Sequence, residues 1–413
     1  MIAKTLVLSD SVVSMNRLGV IADDLTGALD TGVQFVRAGL EAALLLSPTR
    51  ALPAQVQVIS TNSRDMDLAT ARQQVAKAAE RLRGRLIFKK IDSTMRGHIG
   101  PEIEAVLKVT GVEKAVICPA VIEAGRRVRD GKLWVDDVLL HRSDFAHDPS
   151  WPAVTSDMAS LLGLPVTHFY LETVRAGAHV LTRALSNAPA QIITVDACDD
   201  YDLKVISRAI VMGNCLPCGA LGLARAWVRE LVGSQRIEPE PALQGSMAPV
   251  LVVVGSRHPK TRAQVHRVAS ERDLAMIEVA AAMNGRGDGE WRAIAKVLSA
   301  GKSLVISAPL EEIRQASHRR ALDVTLAELT LRVCQEFELG GLVLTGGETA
   351  RAVCQALETV AVRILGELQV GIPWGRLVGG VASGLPVVTK AGGFGHADSL
   401  IRIVDTFRGN EKP

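Results

Sequence analysis

Leu18-Gly19-Val20-Ile21-Ala22-Asp23-Asp24-Leu25-Thr26-Gly27-Ala28 is the stretch on which the reading of the fold turns. Its first five residues form a short apolar run ahead of polar residues, which predicts a buried strand. Over 28–38 the apolar spacing changes to that of a helix. A strand that passes through a polar turn into a helix opens a βα unit, and the alternation continues down the chain. Further strands are predicted over 56–60, 86–91, 115–118 and 191–195, then over 250–254, 304–307, 341–345 and 385–390. Such alternation predicts mainly parallel sheets covered by helices, the α/β class. With 413 residues the chain exceeds what one hydrophobic core fills, so two domains are expected. Periodicity fades over 232–249, where Gly, Ser, Gln, Pro and Glu dominate. The division is therefore 16–235 and 248–413, joined by a linker at 236–247, each part a mainly parallel sheet flanked by helices. The stretch 126–150 breaks the rhythm with Gly131, alternating Leu133 and Val135, and Asp136-Asp137, and predicts a β-hairpin excursion placed to act as a flap.

Composition narrows the partners. A hydrophobic share of 48% and a charged share of 22% are those of an ordinary globular protein. A net charge of +3 with no long basic run excludes an electrostatic footprint for nucleic acid. No apolar run reaches the roughly 18 residues of a membrane span, and the first residues carry no secretory pattern, so a cytoplasmic protein is expected. Met15 is a candidate start, which leaves open whether residues 1–14 belong to the native product. The six cysteines are dispersed; Cys215 and Cys218 have no second pair or histidine set, so reduced structural thiols are expected rather than a metal site. The expected partners are small molecules, and a homodimer is one expectation for assembly.

In open α/β sheets ligands gather at the carboxyl ends of strands, and the charged motifs of this chain lie there. Asp23 and Asp24 close the first strand. One of them can cap the following helix, but two adjacent carboxylates call for a cation, a donor or a substrate hydroxyl. After the second strand, Ser60-Thr61-Asn62-Ser63-Arg64 ends in a guanidinium suited to a carboxylate or phosphate, with a surface pair to Asp65 or Asp67 as the plain alternative. The third strand runs into Lys89-Lys90-Ile91-Asp92-Ser93-Thr94-Met95-Arg96-Gly97-His98 ahead of Pro101, an expected first residue of the next helix. Lys90, Asp92, Ser93, Thr94 and Arg96 together can fix the oxygens of a small polyhydroxy anion. Cys118-Pro119-Ala120 leads to Gly125-Arg126-Arg127, where a site and an ordinary loop turn read equally well.

The second half holds no Walker loop and no Gly-x-Gly-x-x-Gly after a first strand. Three other signals stand at strand ends: Gly255-Ser256, Thr345-Gly346-Gly347-Glu348-Thr349 and Lys390-Ala391-Gly392-Gly393-Phe394-Gly395. Glycines let backbone N–H groups approach an anion, and a helix beginning at Glu348 or Thr349 adds its positive end, so these loops are expected to cradle phosphates. Lys390 can offset their charge and Glu348 can assist a magnesium ion or a nucleotide hydroxyl.

Four of these segments, Ala22-Asp23-Asp24-Leu25-Thr26-Gly27-Ala28, Lys90 to Gly97, Gly346-Gly347-Glu348-Thr349 and Thr389 to Gly395, resemble the four-carbon acid sugar kinase family. The resemblance extends from Leu18 over nearly the whole chain. It implies an N-terminal domain holding a four-carbon sugar acid, a C-terminal domain holding ATP with Mg2+, and an active site in the cleft between them. Threonate, erythronate and their 3-oxo derivatives are the implied acceptors, with D-threonate or D-erythronate preferred. The implied substrate contacts are Asp23 or Asp24, Arg64 and the segment from Lys90 to Arg96. Those to the nucleotide are Ser256, Gly347, Glu348 and Gly393. One of Asp23 and Asp24 is expected to accept the proton of the attacking hydroxyl. The loop 119–128 departs from the family, with Val121-Ile122-Glu123-Ala124 and Arg127 where an aromatic, proline and asparagine and then a threonine are expected, and that bears on which acid is taken. A non-catalytic sensor is disfavoured because adjacent carboxylates weaken plain anion binding, and a hydride-transfer enzyme by the missing dinucleotide motif.

Overall fold

The computed structural model describes residues 17–47, 50, 52–148, 151–233, 243, 245–269, 274–279, 288–308 and 316–409. The candidate start at Met15 and residues 1–14 lie outside the described residues, as does most of the expected linker. The first half contributes β1 (Leu18–Ala22), β2 (Ala42–Leu45), β3 (Val56–Ser60), β4 (Leu86–Lys90) and β5 (Ala115–Cys118). A separate antiparallel sheet follows, built from β6 (Arg126–Arg129), β7 (Lys132–Val135) and β8 (Val138–Leu139). Then come β9 (Thr167–Phe169), β10 (Ile192–Val195) and β11 (Leu216–Gly219). The second half adds β12 (Val250–Val254), β13 (Leu274–Glu278), β14 (Ser303–Ser307), β15 (Gly341–Thr345), β16 (Ala361–Gln369), β17 (Ile372–Val378) and β18 (Pro386–Lys390).

All strands except β6–β8 join one fifteen-stranded sheet in the order β13-β14-β12-β15-β18-β17-β16-β2-β3-β1-β4-β11-β5-β10-β9. The two α/β halves expected from sequence are present, but their sheets are continuous: β16 pairs antiparallel with β2, from Ala361 opposite Leu45 to Ile364 opposite Ala42. Across β16 and β17 the strand direction reverses, so the parallel strands of the two halves run opposite ways. Six steps separate β1 from β15. At about 20–25° of twist per step they accumulate roughly 120–150°, which turns the carboxyl ends of both sets toward one side.

The helix Leu25–Val36 sits at this junction. Asp24 caps it, its Oδ1 accepting from Gly27 N at 2.9 Å. The helix is buried almost all round, from Leu25 to Phe35, because strands and helices of both halves pack on it. Its core cluster runs without a break from Leu18 and Val58 of the first half to Leu251 and Leu344 of the second. Expected boundaries shift where capping decides them. The helix starts at Leu25 rather than Ala28, and another covers Ile99–Thr110, so Pro101 occupies its first turn, where a missing N–H costs nothing. No described helix is long and apolar enough to cross a membrane. All six cysteines are free thiols.

Candidate functional site

The carboxyl ends of β1, β3 and β4 lie in register, with Ala22 opposite Ser60 on one side and Lys90 on the other. Asp23, Arg64 and Asp92 therefore meet. Arg64 Nε donates to Asp23 Oδ2 at 2.7 Å, its Nη1 stands 3.1 Å from Asp24 Oδ2, and its Nη2 lies 3.6 Å from Asp92. The surface pairing of Arg64 with Asp65 or Asp67 is absent; the guanidinium turns inward and knits the three strand ends together. Burial opposes the ionisation of Asp23, yet Arg64, with Lys89 and Lys90 behind it, holds its carboxyl below the usual range. Asp92 is also buried, and Arg96 and Arg64 hold it well below that range. Arg96 Nη2 donates to Asp92 Oδ2 at 2.8 Å and its Nη1 to Asp148 at 3.2 Å. Thr94 N donates to Asp92 Oδ1 at 2.9 Å, which closes the turn through Met95 at φ 64°. The neighbouring lysines separate by alternation along the strand. Lys89 is fully buried against Glu102 at 2.8 Å, whereas Lys90 turns to the opposite face, beside Gly27. A Cβ on Gly27 would stand 2.8 Å from Lys90 Nζ, so glycine there makes room for the ammonium.

The second wall is built from glycine loops that interlock. Gly346 has φ +94° and caps the helix Gly347–Ala356; that helix begins one or two residues before the expected start at Glu348 or Thr349. A Cβ on Gly346 would sit 3.2 Å from Ser256 N, and one on Gly392 would sit 2.3 Å from Ser256 Oγ. Only bare backbone fits, and the first amides of the helix are left facing the cleft. Thr349 Oγ1 donates to Asp323 at 2.6 Å, and Glu348 pairs with Arg351 at 2.9 Å. Lys390 is fully buried beneath the loop, donating to Thr261 Oγ1, Ala391 O and Phe394 O at 3.2–3.3 Å. Burial, with Lys260 adding repulsion, lowers its amine to about 7. His258 Nδ1 accepts from Lys260 N at 3.2 Å, and burial together with Arg96 and Lys390 lowers the ring to about 4, so it is neutral with Nε2 as its donor.

The two walls face each other across one cleft of about 1420 Å3. That exceeds the roughly 300–1,000 Å3 of a single-ligand pocket and suits two ligands side by side. Asp24, Arg64, Lys90, Asp92, Ser93, Thr94 and Arg96 line it from one half, and Ser256, Gly346, Gly347, Glu348, Thr349, Gly392 and Gly393 from the other. Asp23, Lys390 and Gly395 are not on its wall. A Cβ on Gly347 would stand 3.3 Å from Asp24 Oδ2, so the second carboxylate of the acidic pair touches the helix start of the opposite half.

The expected hairpin has a third strand, β8, with a turn at Asp136 and Asp137, whose φ values of 49° and 60° suit a tight two-residue connection. Beyond it, Phe145 reaches the cleft and lies 6.2 Å, ring to ring, from His258, with Arg96 and Arg126 at 5.9 and 5.8 Å on its own side. Trp151 Nε1 donates to Asp65 and its ring packs edge-on to His98. Sequence reasoning missed Phe145, His258 and Asp30 as wall residues and left Arg126 undecided. Asp30 had a legible signal: with Asp24 and Gly27 it follows the three-residue spacing of one helix face. Burial drives its carboxyl up to about 7 against the pull of Lys90, with Asp24 and Glu367 adding to the rise.

Residues 18–227 match a family model described as a sugar-binding N-terminal domain, and residues 251–400 one described as a nucleotide-binding C-terminal domain. A D-threonate kinase of Bordetella bronchiseptica is 36% identical, over 95% of this chain and 97% of its own. A D-erythronate kinase of Heliobacterium modesticaldum is 30% identical over 95% and 97%, and a 3-oxo-tetronate kinase of Methylobacterium radiotolerans 32% over 94% and 98%. Among solved structures, one from Salmonella typhimurium described as a putative tRNA synthase superposes with a TM-score of 0.78 over 94% of this chain and 98% of that one. At 24% identity it speaks for the fold alone. Two domain models that together span most of the sequence, and near full-length identity to named sugar-acid kinases, show that the chain belongs to the four-carbon acid sugar kinase family.

Proposed function

We propose that this enzyme transfers the terminal phosphoryl group of ATP to the terminal hydroxyl of a four-carbon sugar acid, with D-threonate or D-erythronate preferred. The observation that carries the reading is the meeting of Asp24 with Gly347: the acidic wall and the glycine-lined helix start share one cleft. The acid lies against Asn62, Arg64 and the segment from Lys90 to Arg96, and the triphosphate against Ser256, Gly346, Gly347 and the Gly392-Gly393 loop. The interlocked glycines leave the close backbone approach that phosphates require. Of the carboxylates beside the helix start, Glu348 is the one that would hold Mg2+. When bound, it offsets phosphate charge.

The acceptor O–H bond breaks as the O–P bond forms, ADP leaves, and the proton passes to a carboxylate. Asp24 lines the cleft and Asp23 does not, so of the acidic pair Asp24 takes that part while Asp23 fixes Arg64. A second reading gives the proton to Asp30, whose carboxyl near 7 is suited to an acceptor at neutral pH. Asparagine caps helices as well as aspartate, so Asp24→Asn preserves the fold. The acceptor is the position whose Asn variant lowers kcat by about 10²- to 10⁴-fold; near-normal turnover in both variants removes the role from both. The acid itself is identified by ADP release over D- and L-threonate, D- and L-erythronate and their 3-oxo relatives. Preference for a 3-oxo acid, as the name of the 32% identical relative suggests, would replace the threonate or erythronate assignment and keep the kinase.

A further inference from the structure

The cationic side chains of the acid wall are not equivalent. Arg64 is shared among Asp23, Asp24 and Asp92, and Arg96 between Asp92 and Asp148. Two guanidinium charges thus face four carboxylates, and that network has no positive charge to spare for an anion. Lys90 looks onto Asp30, Asp23 and Asp24, whose charges raise its pKa against the effect of burial.

Arg126 differs. It lines the same cleft from the first residue of β6, is only 6% exposed, and has no described carboxylate within ion-pair distance. Its Nη1 donates to Ala124 O, its Nε is buried without a partner, and its guanidinium lies over the Phe145 ring at 5.8 Å. A buried, unpaired guanidinium is costly, by several kcal/mol for an ion taken out of water. Its turn is rigid. Gly125, at φ +72°, is closed by Gly125 N donating to Ile122 O, and Arg126 N donates to Val121 O. The cation is therefore held in place before any ligand arrives. Burial lowers its pKa, with Asp136 and Asp92 too distant to restore it.

We propose that Arg126 receives the carboxylate of the acceptor, and that Arg64 and Arg96 position the wall rather than bind that group. The inference rests on the kinase reading above. Arg126 belongs to the acid-binding half and neighbours the Asp92–Arg96 turn, so its ligand is the acid and not the nucleotide. A planar guanidinium offers paired donors matched to a carboxylate, which makes charge and shape the basis for choosing an acid over a neutral polyol.

The test compares full-length native chain, Arg126→Gln and Arg126→Lys in ADP release, with the preferred acid and with the four-carbon alditol that keeps the terminal hydroxyl and lacks the carboxylate. Arg126→Gln should lower kcat/KM for the acid by about 30- to 100-fold, the range of a lost charged hydrogen bond. It should change the alditol reaction less than threefold and leave KM for ATP unchanged, and Arg126→Lys should restore part of the loss. Equal losses on acid and alditol, or a raised KM for ATP, overturn the proposal. Calorimetric titration of the acid without nucleotide separates the two readings. Acid binding that Arg126→Gln abolishes supports this assignment even if no acid stimulates ADP release, and binding equal in both proteins refutes it whatever the turnover. Stability gives a last readout: removal of an unpaired buried charge should leave the urea midpoint unchanged or higher, and a marked fall would make Arg126 a structural residue.

Discussion

Asp30 shows how burial writes pH dependence into this fold. Its carboxyl sits near 7 in the folded chain against 3.8 as the ordinary value, so the folded state keeps a proton that the unfolded chain releases. The contribution is fully present below about pH 4 and is lost as pH rises through 7. The whole interval is worth at most roughly 4 kcal/mol, of which about 2 kcal/mol falls between pH 5.5 and 8.5. Asp30→Asn carries no such proton. Urea unfolding of that variant should therefore gain on the native chain by about 2 kcal/mol as pH goes from 5.5 to 8.5. A constant difference between the two proteins over that range would show that the carboxyl ionises freely in the cleft. Asp30 was passed over despite its spacing from Asp24 and Gly27, and Arg126 was left undecided, for one reason: their chemistry comes from what surrounds them. An aspartate in an apolar helix reads as capping or surface charge, and a Gly-Arg-Arg turn reads as an ordinary loop. Asp23, Asp24, Arg64 and Asp92 were legible because polar residues at successive strand ends must converge once the strands are parallel and in register.

At the scale of elements, the helix Gly347–Ala356 and the loop before it make a sharper test of the proposed nucleotide wall. Gly346→Ala places a side chain at φ +94° and a Cβ 3.2 Å from Ser256 N, disturbing the loop contact that presents the first helix amides. Strain of this kind costs about 1–3 kcal/mol. The structure offers a control in Gly301, at φ +69° with open space around its missing Cβ. Both alanine variants should lose stability, but only Gly346→Ala should raise KM for ATP, by about tenfold for 1.4 kcal/mol of lost binding. Equal KM values in the two variants would detach that turn from the nucleotide. Every expected strand is present, whereas β2, β8, β9, β11, β13, β16 and β17 were missed. The missed elements share a weak local pattern. β2 is Ala-Ala-Leu-Leu, which fits a helix as well as a strand. β11 carries Pro217 and ends in Gly219, both signals against a strand, and is stabilised by β4 and β5 on its two sides. In β16 the register slips between Ile364 and Gly366 and again between Glu367 and Gln369, which destroys the period of two.

Those missed strands are also what separates the expected molecule from the observed one. Two domains with a linker suggest halves that close like a hinge, but β2 and β16 stitch the sheets together and the helix Leu25–Val36 buries nearly all its faces between them. Arg37 donates to Glu367 at 2.7 Å across the same seam. Opening the halves as rigid bodies would break a ladder and expose shared core. The same continuity predicts how the chain unfolds. Trp227 packs on Phe35 and Phe88 in the first half, and Trp291 on Phe337 and Arg332 in the second. Variants that keep one of these as the sole tryptophan, with phenylalanine at the other four positions, report on each half separately. If the core is one cooperative unit, both reporters should give the same urea midpoint. Nucleotide at 100 times its Kd should then stabilise both by about 2.7 kcal/mol. Separate midpoints, or a nucleotide shift confined to Trp291, would mean that the β2–β16 pairing joins the sheets without coupling their stability, and hinge opening would again be the simpler route into the cleft.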